Sequence, residues 1–129
     1  MNTKVLMFSS SIFLGILGVI LTFLPDLIIS NLGISTNPIS SLSLQLLGAL
    51  YLRFAMLNWM SKGSIIGGIY KKPIAIGNLM HFGAGALALI KIIPRIQIHL
   101  EVLISLAVFY SIFAISFGYI FKTNPSKAE

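Results

Sequence analysis

Cysteine is absent from this 129-residue chain, and acidic residues number 3: Asp26, Glu101 and Glu129. The first absence excludes disulfides, thiol redox chemistry and thiolate-bound metals. The second leaves no pair of carboxylates from which general acid–base catalysis can be assembled. Charge of either sign is scarce, at 9% of residues, whereas a water-soluble domain uses roughly 25% to cover its surface. The outer surface of such a chain must therefore face lipid. Phosphate loops, the G-x-G-x-x-G fingerprint, H-E-x-x-H and G-x-S-x-G are also missing. His81 and His99 have no carboxylate at ligand spacing, so neither a metal nor a cofactor is expected.

What the chain has in abundance is apolar sequence: 57% of residues are hydrophobic and the mean hydropathy is +0.97. These residues fall into four runs, about 5–24, 42–60, 74–90 and 98–121. At about 1.5 Å per residue, each run is close to the roughly 30 Å of a bilayer's hydrocarbon core. The expectation is an all-α fold, an antiparallel four-helix transmembrane bundle forming a single membrane domain. The first run is too long for a signal-peptide core and no A-x-A-like site follows it, which predicts a retained helix. Between the first two spans, Asp26 to Gly33 reads as a short interfacial helix with Pro25 and Asp26 at its start and Gly33 at its stop. Ser35-Thr-Asn-Pro38 reads as a turn.

The formal net charge is +6. Because the cations lie between apolar spans, anionic lipid is the expected partner and nucleic acid is not. Lys4, Lys62, Lys71, Lys72, Lys122 and Lys127 fall on one side of the predicted membrane, against Lys91 and Arg95 on the other. By the positive-inside rule both termini are cytoplasmic, in a bacterial cell membrane. Trp59, Tyr70 and Tyr119 cluster near that boundary as an aromatic belt. Lys62, Lys71 and Lys72 flank a Gly-rich loop and are candidates for headgroup contact.

Lipid tails are as apolar as leucine, so membrane helices associate through small and polar residues. Ser11, Gly15, Gly18 and Thr22 form one narrow face of the first span, suited to close packing against another helix. In the third span Gly77, Asn78, His81, Ala84, Gly85 and Ala88 share about a third of the circumference, with Leu79, Met80, Phe82 and Leu87 away from it. In the fourth, Ala107, Ser111, Ala114 and Gly118 form one face and Phe109, Phe113 and Phe117 another. The second span turns Leu46, Leu50, Phe54 and Leu57 outward.

Arg53 lies eight residues before Ser61 and His81 eight after Pro73, which places both about 12 Å inside the predicted cytoplasmic ends. Asn58 and Asn78 lie shallower on the same two spans. Two readings stand. Arg53, Asn58, Asn78 and His81 converge on a polar pocket for an anion, lipid or quinone, or Arg53 snorkels to the interface.

Three stretches carry a resemblance: Pro25-Asp-Leu-Ile-Ile-Ser-Asn-Leu-Gly33, Leu44-Gln-Leu-Leu-Gly-Ala-Leu-Tyr-Leu-Arg-Phe-Ala-Met-Leu-Asn-Trp-Met60 and Asn78-Leu-Met-His-Phe82. They resemble small bacterial four-helix membrane proteins in the loose neighbourhood of the DoxX-like group. Some members of that group are accessory subunits of quinone-linked oxidoreductases. The resemblance assigns no functional residue here. The expected function is a small non-enzymatic membrane protein that binds lipid or a partner subunit, or self-associates; the alternative is a small-ligand binder or transporter using the pocket.

Overall fold

All four apolar runs are helices in the computed structural model, which describes residues 2–63 and 72–123. In chain order these are α1 (Thr3–Phe23), a short α2 (Pro25–Asn31), α3 (Pro38–Ser61), α4 (Lys72–Ile92), a single 3-10 turn (Ile93–Arg95) and α5 (Leu100–Thr123). No strand occurs among the described residues. The long helices have 21, 24, 21 and 24 residues, or about 32–36 Å each, enough to cross a hydrocarbon core of about 30 Å. The protein is therefore an all-α integral membrane protein, with four helices long and apolar enough to span. A helix suits that solvent because it satisfies its own backbone polar groups. Its hydroxyls follow the same rule: Ser11, Ser43, Ser105 and Ser111 each donate to a carbonyl three or four residues back on their own helix.

The chain divides into two compact units, Met7–Lys62 and Met1–Leu6 with Gly63–Glu129. In the first, α1 and α3 run in opposite directions. Gly15 faces Ala55, Gly18 faces Leu52 and Gly48, and Thr22 faces Gly48. At Gly18 and Gly48 the two backbones touch. A Cβ on Gly18 would lie 2.9 Å from the Leu52 nitrogen and 3.0 Å from the Gly48 carbonyl oxygen, and a Cβ on Gly48 would lie 2.9 Å from the Gly18 carbonyl oxygen.

The connection between them is built rather than slack. Pro25 opens α2, where its missing N–H costs nothing. Gly33, at φ +70°, closes it. The Gly33 N–H donates to the Ser30 carbonyl and the Ile34 N–H to the Ile29 carbonyl, the paired bonds of a Schellman stop. Residues 35–37 of the predicted turn are non-helical, and α3 begins at its last residue, Pro38, four residues before the expected Leu42. Asn37 caps the helix, accepting from the Ser40 N–H at 2.9 Å, while the Ser40 hydroxyl accepts from the Asn37 N–H at 3.3 Å. Serine replaces the usual Glu or Gln of this reciprocal cap, which conceals the signal. The Ser41 hydroxyl donates to the Asp26 carboxylate and ties α2 to α3.

In the second unit α4 and α5 also run in opposite directions, with Gly85 against Tyr110 and Leu79 against Gly118. Here the expected packing faces need correction by about a quarter turn. On α4 the buried residues are Ala75, Asn78, Phe82 and Ala86, whereas Ala84 and Ala88 are exposed. On α5 they are Ala107, Tyr110, Phe113, Phe117 and Ile120. Phe82, fully buried, stacks on Phe113 at 4.8 Å and Phe117 at 5.8 Å between centroids. Large rings, not small side chains, fill the space between these two helices. Small residues act as receivers instead, with Gly85 leaving room for the Tyr110 ring.

Candidate functional site

Helix α3 carries the polar residues least suited to lipid, and it sorts them onto different faces. Its inner face meets α1. There the Asn58 amide, fully buried, donates to the Ser10 hydroxyl at 3.0 Å, and Ser10 in turn donates to the Met7 carbonyl. Gly48 and Ala55, seven residues apart on the same face, let α1 come close. Five residues of helix correspond to about 500°, so Arg53 and Asn58 point about 140° apart. Arg53 is accordingly on the outer face, exposed, with Leu42, Leu46, Ala49, Leu50, Met56 and Met60 exposed around it. Its guanidinium carbon lies 5.9 Å from the Phe54 ring.

The end of α3 has a different character. The Lys62 ammonium sits 3.2 Å from the centroid of the Trp59 ring and 5.5 Å from that of Phe8. The two rings are 5.5 Å apart. A cation held over two aromatic faces beside a helix terminus is the arrangement expected of an interfacial anchor. Lys72 is half-buried at the start of α4, and Lys71 lies outside the described residues.

Asn78 is fully buried and donates to the Ile74 carbonyl at 2.9 Å on its own helix. His81 lies beside Tyr110, with its Nε2 at 3.4 Å from the phenol oxygen. Phe82 packs edge-on to both rings. The structure thus brings Asn58 to Ser10 and His81 to Tyr110, and leaves Arg53 on an outer surface. Among the described residues no three His, Asp or Glu side chains gather as a metal ion would require.

Of the small-residue face on α1, Gly15, Gly18 and Thr22 lie against α3, and Ser11 is buried with its hydroxyl on the Phe8 carbonyl. Ser10, Gly48 and Tyr110 join these contacts without standing out in the pattern of small and polar residues. Gly48 had a usable signal in its spacing to Ala55. Ser10, in the middle of Ser9-Ser10-Ser11, had none that separates it from its neighbours.

No family model, no curated protein and no solved structure matches this chain.

Proposed function

We propose that this chain is a non-enzymatic membrane subunit whose outward α3 surface, centred on Arg53, is covered by a partner subunit in the bilayer. The exposure of Arg53 carries this reading. The midpoint of α3 falls between Ala49 and Leu50, so Arg53 lies about 5 Å along the axis from it. An arginine at such depth costs from about 2.5 kcal/mol to over 10, depending on the scale used. A partner that covers it removes most of that penalty.

The test is site-specific photo-crosslinking in native membranes. A photoreactive residue at Ala49 or Met56 is expected to give one discrete product. The same residue at Leu87, 72% exposed on α4, is expected to give only lipid adducts. Equal product patterns at all three positions would contradict a dedicated α3 surface.

A second reading has its own observation, the Lys62 ammonium poised over Trp59 at the end of α3. Together with Lys71 and Lys72 it supports attraction to an anionic leaflet, at about 1 kcal/mol per cation. Neutralising all three should weaken retention of anionic lipid at low salt; unchanged retention would leave those lysines a role in topology alone.

A further inference from the structure

We infer that the partner covering Arg53 is a different polypeptide, a transmembrane helix bearing an Asp or Glu side chain within the hydrocarbon core. This rests on the partner-binding reading above and adds the chemistry of the partner. Arg53 occupies the middle of the outer α3 face, surrounded by exposed leucines and methionines. A partner helix lying along this face would meet mostly apolar side chains, with one guanidinium at its middle and the exposed Ser43 and Gln45 on its flanks. That guanidinium offers five donors in a planar fork that matches a carboxylate.

Among the described residues no carboxylate lies at the depth of Arg53. The chain's 3 acidic residues are Asp26, Glu101 and Glu129. Asp26 is bound by Ser41 in the first turn of α3, twelve residues and about 18 Å along the axis from Arg53. Glu101 is in the first turn of α5, at the edge of its span, and Glu129 lies outside the described residues. A second copy of the chain fails for the same reason. A parallel copy packed through the same face brings another Arg53 to this depth, and an antiparallel one brings it about 10 Å away along the axis; neither brings Asp26 or Glu101.

A lipid phosphate is less well matched. The headgroup level at that end of α3 is marked by Lys62 on its aromatic rings, nine residues and about 14 Å beyond Arg53. A carboxylate carried by a helix reaches the required depth without thinning the bilayer.

The test uses the purified full chain in zwitterionic phosphatidylcholine nanodiscs, titrated with labelled synthetic transmembrane peptides. These share one Leu/Ala sequence with Lys flanks and differ only in a central guest residue: Asp, Asn, Leu or Lys. Mildly alkaline pH keeps the Asp guest ionised. The Asp peptide should bind about tenfold tighter than the Leu peptide, a difference of about 1.4 kcal/mol. Moving the Asp to the first turn of the peptide should abolish that preference. Arg53→Leu and Arg53→Gln should abolish it too, and Arg53→Lys should keep part of it. Because Arg53 faces away from α1, these variants should keep the parent's helicity and elution volume. Equal binding of the Asp and Leu peptides would overturn the inference, as would an Asp preference that persists in a folded Arg53 variant. Loss of the preference on adding phosphatidylglycerol would show that Arg53 serves a lipid phosphate, which also overturns it. A crosslink between Ala49 residues of two copies would sink the carboxylate partner yet leave α3 as a subunit surface. No α3 product of any kind would sink both.

Discussion

One added methyl group should have opposite consequences at neighbouring positions of α1. A Cβ on Gly15 would meet nothing nearer than the Ala55 Cβ at 3.8 Å, ordinary contact, whereas on Gly18 it would lie 2.9 Å from a backbone nitrogen of α3. Backbone cannot rotate aside as a side chain can. Gly18→Ala and Gly48→Ala should therefore each destabilise the α1–α3 pair by about 1–3 kcal/mol. Gly15→Ala should be neutral or stabilising by up to about 1 kcal/mol, since alanine is the better helix former. Thermal unfolding in detergent distinguishes the cases, and identical midpoints for Gly15→Ala and Gly18→Ala would refute the contact. Thr22 belongs to the same contact. Its buried hydroxyl oxygen has no hydrogen-bond partner among the described residues and sits over Gly48, where an added Cβ would collide with it.

The two helix pairs are joined by different means, and this sets what a sequence can reveal about them. In the α4–α5 pair Phe82 lies among Tyr110, Phe113 and Phe117. Phe82→Ala should destabilise this pair more than Leu79→Ala, but by less than the roughly 3–5 kcal/mol seen in water-soluble cores. The deleted ring loses its packing contacts, while its transfer from lipid contributes little. Chemical unfolding followed by helix content would test the order; equal losses at Phe82 and Leu79 would remove the aromatic cluster as the organising contact. The four spans were legible because length and hydropathy are local properties, and the stop at Gly33 was legible because glycine at a helix end has a fixed conformational reason. The face of α4 was not. Small residues permit close approach, but whether a partner helix offers backbone or a phenyl ring is a property of the pair. The sorting of Asn58 inward and Arg53 outward escaped for a related reason: depth along the chain is readable by counting, but azimuth requires knowing which face meets α1.

At the scale of the whole molecule, cations cluster at particular helix ends. Lys4 opens α1, Lys62 follows α3, Lys72 opens α4 and Lys122 closes α5, whereas Lys91 and Arg95 follow one another at the far end of α4. By the positive-inside rule, the expected outcome is that Asn2 and Thr123 lie on the cytoplasmic side. Because the protein has no cysteine, single Asn2→Cys and Thr123→Cys variants can be probed without background. Both should resist an impermeant maleimide in intact cells and react in inverted vesicles; labelling of either in intact cells would reverse that end. The backbone contact of α1 with α3 bears on biosynthesis as well. Its members, from Ser10 to Asn58, all lie within Met7–Lys62, and the capped α2 connection is complete within the same stretch. At about 5–20 residues per second, translating residues 63–129 takes about 3–13 s. Over that interval an emerging hairpin already holds every residue its own contact needs, so the ribosome-bound chain can enter the bilayer as a finished pair while the second pair is still being made.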